Sequence, residues 1–306
     1  MAVELRLFNA IKQRSKYNNE LANNKKRIVN TKLGFIGGGN MASSLIGGLV
    51  NNSDQQDLTP QDIMVYEPNA EKAEQLRAQF NIQLATDNTQ LIEFANVIVI
   101  AVKPQVLQNV LEPLTQAFKS KKPLIVSIVA GIRSNSIEQW LDDEYAIVRV
   151  MPNTPALVGA GASGLYANQK VNDEQKTTTE TLLNAVGMCR WVDQENDIDS
   201  VTALSGSGPA YFMLFIKSLI DAAEAAGLDK KTAKDLALAT ASGSTELIAN
   251  SEDSLQTLID NVTSPGGTTE QALLSFDNDK LSTIVGSAFE AARRRSEELA
   301  DQLGKT

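Results

Sequence analysis

The sequence predicts an α/β domain with a doubly wound parallel sheet over residues 31–195, followed by an all-helical domain over residues 196–306. Up to about Trp191, short apolar runs rich in Val and Ile alternate with longer stretches of mixed polarity, which is typical of parallel strands joined by crossover helices. After Asn196 the chain is rich in alanine. There, apolar residues recur at helical spacing, as at Phe212, Phe215, Leu219 and Ala223 and again at Ile284, Ala288 and Ala292. Small residues permit close packing of these helices, and a set of about four to six helices after such a sheet domain often makes a dimer surface, so a dimer is an expectation here.

Five apolar runs are the predicted strands of the first domain. In chain order they are LGFIG (33–37), IMVYE (63–67), NVIVIAV (96–102), LIVSIVA (124–130) and AIVRV (146–150). These runs are apolar on both faces, so helices are expected to cover the sheet from both sides.

The residue counts exclude several kinds of chemistry. The chain has no histidine and one cysteine, Cys189, so Ser-His-Asp and Cys-His nucleophiles, imidazole metal sites and internal disulfides are excluded. We therefore predict no metal site, and a reducing, cytoplasmic location. The longest apolar runs fall far short of the roughly 20 residues that cross a bilayer, so no membrane association is expected.

Charge is unevenly distributed along the chain. The formal net charge is −9, yet residues 1–32 hold eight Lys or Arg and two Glu. We interpret residues 1–30 as a basic, disordered extension; a transit peptide or a nucleic-acid-binding arm are the alternatives. The remaining body is acidic, which argues against nucleic-acid binding because phosphate neutralisation needs a basic surface.

A glycine-rich motif follows the first predicted strand and precedes a helical stretch. Its residues are Gly37, Gly38, Gly39, Asn40, Met41 and Ala42. The motif fits G-x-G-x-x-A in the strand-turn-helix context of a dinucleotide site. Gly37 would allow the tight turn, Gly39 the approach of a pyrophosphate and Ala42 close packing of helix on sheet, while the helix N-terminus offers free amides to the phosphates.

Glu67 ends the second predicted strand, where an acidic side chain commonly binds the adenosine ribose. If Glu67 faces the ribose, it should repel a 2′-phosphate and favour NADH over NADPH, although Lys72 nearby could soften that preference. The alternative is a solvated glutamate at a strand end. Ala101, Val102, Lys103 and Pro104 lie at the carboxyl end of the third predicted strand, at the edge where open α/β sheets bind ligands. The alternative for Lys103 is an ordinary solvated loop lysine.

Three later segments are predicted to be loops that serve the site. Residues 149–155 (RVMPNTP) follow a strand and contain two prolines, which suits a rigid loop beside a nicotinamide. Residues 204–211 (LSGSGPAY) and 261–269 (NVTSPGGTT) each read as a loop opening a helix. In the last, two glycines and the following helix N-terminus would hold a small carboxylate, although Ser and Thr there also serve as N-caps.

Five segments in this order, GFIGGGNMA, AVKP, VMPNTPALVGAGA, LSGSGPAY and VTSPGGTTEQAL, resemble the pyrroline-5-carboxylate reductases from about Leu33 to Leu299. The resemblance implies a Rossmann domain, a helical domain that intertwines with a second subunit, NADH or NADPH as cofactor, and homodimers that often assemble into rings. It implies that Gly37 to Ala42, Asn88 and Ala101 to Pro104 contact the cofactor. It places Glu195, Asn261, Ser264, Gly267, Thr268 and Thr269 at the substrate site, with Thr269 as the catalytic group.

Reduction of a cyclic imine to L-proline requires a hydride donor, a grip on the ring carboxylate and a proton on nitrogen. Backbone amides around Gly267 and Thr268 could hold the carboxylate, and the Thr269 hydroxyl could hydrogen-bond the ring nitrogen. One alternative is a β-hydroxyacid dehydrogenase, which needs a lysine with an asparagine four positions later; Lys217 is followed by Asp221 instead. The other is a non-catalytic NAD(P)-sensing protein.

Overall fold

The structure is a computed structural model that describes residues 31–51 and 58–304. The described chain divides into two compact units. The sheet unit holds the described residues up to Pro209 together with those from Phe289 onward, and the helical unit holds Ala210–Ala288. The predicted extension 1–30 lies outside the described residues.

The sheet unit is built on eight strands in the order β3-β2-β1-β4-β5-β6-β7-β8. They are β1 (Leu33–Ile36), β2 (Ile63–Tyr66), β3 (Gln83–Leu84), β4 (Val97–Ile100), β5 (Leu124–Ser127), β6 (Ile147–Met151), β7 (Gly161–Ala167) and β8 (Gly187–Trp191). Neighbouring strands are parallel except β6 and β7. Because β1 pairs with both β2 and β4, the order reverses beside β1, and such a switch point is where open sheets bind ligands.

Helices cover both faces of this sheet. They are α1 (Asn40–Asn51), α2 (Ala70–Phe80), α3 (Asn88–Phe94), α4 (Leu107–Leu111), α5 (Thr115–Lys121), α6 (Ser134–Leu141), α7 (Asp173–Asn184) and α8 (Asp197–Val201). Alternate residues of β2, β4 and β5 belong to different buried clusters; for example Val97 and Val99 cluster with residues of α1 and α7, while Ile98 and Ile100 cluster with residues of α3, α5 and α6. The predicted doubly wound α/β class is therefore confirmed.

The sheet differs from the sequence prediction at its far end. Strands β3, β7 and β8 were not predicted, and β7 runs antiparallel to β6. The chain between β6 and β7 holds only the short 3₁₀ turn Thr154–Val158, and a parallel return would need a crossover connection of a dozen or more residues. Residues 204–206, predicted as loop, lie in a π-helical stretch, Thr202–Gly206, that leads directly into the next helix.

The helical unit is formed by the greater part of α9 (Gly208–Ala225), by α10 (Lys230–Ala249), α11 (Leu255–Asn261) and α12 (Thr268–Asn278), and by the start of α13 (Leu281–Leu303). Asp229 caps α10 by accepting hydrogen bonds from the amides of Lys231 and Thr232, and Ser254 caps α11. The predicted all-helical character of this part of the chain is confirmed. No helix among the described residues is long and apolar enough to cross a membrane.

The chain passes from the sheet unit to the helical unit after Pro209 and returns to the sheet unit after Ala288. Val201 of α8 packs so closely on β7 that a Cβ on Gly164 would lie 2.5 Å from its Cγ1. In α13, the backbone at Leu299 and Ala300 passes beside Gly131. Helix α8 and the last part of α13 therefore pack within the sheet unit.

Candidate active site

The first glycine of the motif is required by its surroundings. Gly37 follows β1 with φ +99°, a conformation that side chains rarely adopt. A Cβ at this position would lie 2.8 Å from the Ala101 carbonyl oxygen and 3.0 Å from Val102 Cγ1. The Gly37 amide also donates to the Tyr66 carbonyl at 2.9 Å. The turn after β1 is thus held against the ends of β2 and β4.

The N-terminus of α1 is presented at this edge. Gly39 and Asn40 are exposed, and a Cβ on Gly39 would meet no atom within 4 Å among the described residues. The first hydrogen bond of the helix runs from the Ser43 amide to the Gly39 carbonyl at 2.9 Å. The amides of Asn40, Met41 and Ala42 come before it and have no acceptor within the helix. Ala42 is fully buried against the sheet. This arrangement has the geometry of a phosphate site.

Glu67 lies directly beside the glycine turn. Its Oε2 accepts a hydrogen bond from the Gly38 amide at 2.9 Å, and its Oε1 accepts one from the Asn69 amide at 3.0 Å. A Cβ on Gly38 would lie 2.6 Å from Leu76 Cδ1 and 3.1 Å from Glu67 Cβ. The second glycine therefore makes room for the glutamate that was singled out by its position at the end of the second strand.

The other residues predicted to contact the cofactor are Ala101 to Pro104, at the end of β4, and Asn88, at the start of α3. The Ala101 amide donates to the Ile36 carbonyl at 2.9 Å, which extends the pairing of β1 and β4 by one residue. Lys103 is exposed, and Pro104 begins a 3₁₀ turn, Pro104–Val106. Asn88 begins α3, and its Oδ1 is buried without a hydrogen-bond partner among the described residues. A buried acceptor without a donor is costly in a protein alone, so Asn88 fits a ligand that carries donors.

Glu195 lies in a different part of the sheet unit, within a network of its own. Its carboxylate accepts hydrogen bonds from the Ser134 amide at 2.7 Å and the Ser134 hydroxyl at 3.0 Å, at the start of α6. It also pairs with Arg149 Nη1 at 3.0 Å. Burial lowers the pKa of the Arg149 guanidinium, and the adjacent Glu195 opposes that shift. Glu195 therefore caps a helix and neutralises a buried arginine.

Asn153 fixes the proline-containing loop after β6. Its Oδ1 accepts from the Ala162 amide at 2.9 Å, and its Nδ2 donates to the Ser205 carbonyl at 3.0 Å. The side chain is buried. One amide group thus ties the start of β7 to the π-helical stretch, and it gives the loop the rigidity that its prolines predicted.

A second buried pair was not predicted from the sequence. Asp199 is 1% exposed and accepts hydrogen bonds from Arg133 Nη2 at 2.8 Å and from the Ser296 hydroxyl at 2.7 Å. The partners are 66 and 97 residues away, so no local pattern could have indicated them. Within the sheet unit, Asp199 thus joins α8 to Arg133 and to the last part of α13.

The predicted substrate segment lies in the helical unit, between α11 and α12. Asn261 is the last residue of α11, and Ser264 is exposed. Gly266 has φ +71°, and its amide donates to Glu270 Oε2 at 2.8 Å. The Gly267 amide donates to the Ser264 carbonyl at 2.9 Å, and a Cβ on Gly267 would lie 2.6 Å from the Ser264 hydroxyl oxygen. Both glycines are thus required by the shape of this turn.

Thr268 and Thr269 form the first turn of α12, which begins after Gly267. Their amides lie at the helix N-terminus, where backbone donors and the helix dipole favour an anion. Thr268 is exposed and Thr269 is half-buried. The segment supplies hydroxyls and amides in one turn.

Lys217 does not have the environment of a catalytic base. It is exposed and pairs with Asp221 at 2.5 Å, one helical turn later. The hydrogen bond to Asp221 raises the pKa of the Lys217 ammonium, whereas a lysine that accepts protons near neutral pH needs a lowered pKa. The structure does not favour the β-hydroxyacid dehydrogenase alternative.

The switch point of a doubly wound sheet, the glycine turn and Glu67 define the class of protein: this is a dinucleotide-binding oxidoreductase fold with a helical C-terminal part. A family model described as pyrroline-5-carboxylate reductase dimerisation matches residues 195–299. A model described as NADP oxidoreductase, coenzyme F420-dependent, matches residues 32–131.

Comparison with known proteins gives the particular family. The chain is 45% identical over 274 residues to a pyrroline-5-carboxylate reductase of Pseudomonas aeruginosa, covering 90% of this chain and 98% of the relative. The structure of a Coxiella burnetii pyrroline-5-carboxylate reductase matches with a TM-score of 0.83 and 39% identity over 88% of this chain and 98% of the other. A Plasmodium falciparum pyrroline carboxylate reductase with NADP bound matches with a TM-score of 0.79 and 35% identity, over 89% and 98%. The chain belongs to the pyrroline-5-carboxylate reductase family.

Proposed function

We propose that this protein is an NAD(P)H-dependent pyrroline-5-carboxylate reductase, which reduces the imine of 1-pyrroline-5-carboxylate to L-proline, the last step of proline biosynthesis. The observation that carries the proposal is the similarity to the Pseudomonas reductase over nine-tenths of this chain. The glycine turn, whose shape depends on Gly37, supports it independently.

The residues at the switch point fit a dinucleotide. The amides of Asn40, Met41 and Ala42 would hold the pyrophosphate, and Glu67 the adenosine ribose. The unpartnered Oδ1 of Asn88 supports a contact with a donor on the ligand. Gly37 to Ala42 and Ala101 to Pro104 complete the proposed cofactor site. When bound, the reduced nicotinamide supplies the hydride.

The substrate carboxylate is assigned to the turn that opens α12. Asn261, Ser264, Gly267, Thr268 and Thr269 are the proposed contacts. The carboxylate would accept a hydrogen bond from the Thr268 amide, at a helix terminus that favours negative charge, while the Gly267 amide already donates to the Ser264 carbonyl and would contact the substrate without that bond. Glu195 was also predicted to contact the substrate, and the contacts of its carboxylate with Ser134 and Arg149 favour an indirect role instead.

Thr269 is the proposed catalytic group. Reduction of a C=N bond adds a hydride to carbon and a proton to nitrogen, so the nitrogen must be protonated before or during the transfer. With no histidine in the chain, we propose that the substrate arrives protonated or receives its proton from water beside Thr269. The Thr269 hydroxyl would orient the ring nitrogen by a hydrogen bond.

We further propose a homodimer formed through the helical part, with assembly into larger rings as a finer expectation. Large apolar side chains such as Phe212, Met213 and Leu214 are more than three-fifths exposed in the single chain, which supports a covering partner. The division into residues 31–195 for the cofactor and 196–306 for dimerisation and substrate, and a cytoplasmic location, belong to the same proposal.

The test is the initial rate of NADH and of NADPH oxidation with and without pyrroline-5-carboxylate. Thr269→Val keeps the side-chain shape and removes the hydroxyl, so kcat should fall about a hundredfold or more while cofactor affinity is unchanged. Thr269→Ser should retain most activity. Thr283→Val, an exposed position at the start of α13, is the matched control and should behave as wild type.

Other outcomes would contradict this assignment in different ways. If Thr269→Val lost cofactor binding and turnover together, its effect would be on folding and the catalytic role would be wrong. If the wild type bound cofactor but never oxidised it in the presence of the imine, the protein would be an NAD(P)-sensing protein instead.

A further inference from the structure

Two backbone donors of the turn between β2 and α2 are satisfied by side chains of the same segment. Glu67 Oε1 accepts from the Asn69 amide at 3.0 Å, and Asn69 Oδ1 accepts from the Lys72 amide at 3.0 Å. They are two of the donors that this helix N-terminus would otherwise offer to an anion. A phosphate arriving at this turn would have to displace a carboxylate or an amide oxygen from them.

The same turn carries fixed negative charge. Glu67 is half-buried, and each of its carboxylate oxygens accepts a hydrogen bond from a backbone amide, one at Gly38 and one at Asn69. Glu71 adds a second carboxylate in the first turn of α2. Of the nearby cations, Arg77 is paired with Glu74 at 2.6 Å, and Lys72 is exposed.

We propose that Glu67 makes this enzyme selective for NADH by excluding the 2′-phosphate of NADPH, through its fixed charge and through the amides that it and Asn69 already engage. The inference rests on the proposed use of a nicotinamide cofactor at the glycine turn. A ribose hydroxyl can donate to a free lone pair of the Glu67 carboxylate. A phosphate beside the same carboxylate meets like charge at short distance.

Binding of the adenosine half tests the selectivity without turnover. Dissociation constants of the purified full-length protein are measured by calorimetry for NADH, NADPH, ADP-ribose and ADP-ribose 2′-phosphate. We expect the wild type to bind each unphosphorylated ligand at least about tenfold more tightly than its 2′-phosphorylated counterpart. Glu67→Gln keeps the side-chain length and removes the charge, and should reduce that ratio to within about threefold.

Two further variants test whether Glu71 or Lys72, and not Glu67, sets the preference between unphosphorylated and 2′-phosphorylated ligands. Glu71→Gln removes one negative charge from an exposed position in the same turn and should leave the ratio close to that of the wild type. Lys72→Ala should have only a small effect on the affinity for the phosphorylated ligands. If the wild type bound NADPH as tightly as NADH, or if Lys72→Ala abolished a strong NADPH affinity, the proposal would be overturned.

One measurement on the wild type alone keeps the test decisive if Glu67→Gln does not fold. Raising ionic strength from about 0.05 M to about 0.5 M screens charge repulsion. The difference in binding affinity between ADP-ribose and ADP-ribose 2′-phosphate should therefore become smaller. If the two ligands bound with equal affinity, or if their affinity difference grew with salt, the proposal would be contradicted. Imine-dependent oxidation that prefers NADPH would refute only the selectivity, while ligand binding without any oxidation would refute only the reaction.

Discussion

The buried pair of Asp199 and Arg133 makes a sharp prediction about stability. The Asp199 side chain is 1% exposed and Arg133 is 20% exposed, and they lie 2.8 Å apart. Arg133 Nη1 is buried without a hydrogen-bond partner among the described residues, and Nη2 pairs with Asp199. Asp199→Asn would leave a largely buried arginine without its counter-charge.

The expected cost follows from that geometry. Removing one partner of a buried ion pair typically costs about 3–5 kcal/mol, and the partial exposure of Arg133 places the expectation near 3 kcal/mol. Ser296→Ala removes one hydrogen bond to a charged group and should cost about 1.5–3 kcal/mol. Because both changes act on the same carboxylate, the double variant should cost less than the two together.

The assay is denaturant unfolding at fixed protomer concentration, since association links stability to concentration. Asp235→Asn is the matched control, because Asp235 pairs with Lys231 on an exposed helix face and should lose only about 0.3–0.5 kcal/mol. Hydrogen exchange should also rise in residues 289–303 of Asp199→Asn, where Ser296 lies. If Asp199→Asn lost no more stability than Asp235→Asn, the reasoning about this pair would be refuted.

Two more predictions concern single positions. Gly37→Ala should weaken NADH binding and lower the melting temperature, because its Cβ would lie 2.8 Å from the Ala101 carbonyl oxygen; unchanged cofactor affinity by calorimetry would show that the turn tolerates a side chain. Cys189 should react with a thiol reagent about a hundredfold more slowly at pH 8 in the native protein than in denaturant, because burial raises its pKa from 9.0 to about 11; equal rates would contradict that environment.

The part of the sheet that could be predicted is the part with continuous apolar runs. Strands β1, β2, β4, β5 and β6 are buried on both faces, so their sequences carry a strong signal. Strands β7 and β8 contain glycines that resemble turn residues. These glycines are needed for close approach: a Cβ on Gly187 would lie 2.1 Å from the Gly161 carbonyl oxygen, and one on Gly164 would clash with Val201. The partner that requires each glycine is distant in sequence.

The candidate site also has a part that the sequence could predict and a part that it could not. Glu67 could be singled out because the order of strand, glycine turn and helix fixes which strand end meets the glycines, and the Gly38 contact agrees with that expectation. The surroundings of Glu195 could not be predicted, because its partners Ser134 and Arg149 are 61 and 46 residues away. A local motif identifies a residue type at a position, whereas long-range pairing decides whether its charge is available to a ligand.

The helical part shows a further limit of periodicity. The spacing of Phe212, Phe215 and Leu219 correctly predicted a helix with an apolar stripe, yet these side chains are 69%, 45% and 45% exposed in the single chain. Among residues 210–288, all of which the structure describes, Ala233 alone is buried. Phe215 and Phe276 do pack within the unit, with ring centroids 6.2 Å apart. A stripe that is apolar and uncovered has the pattern of a core whose other half belongs to a second chain, because the hydrophobic effect depends on the area removed from water and not on which chain covers it.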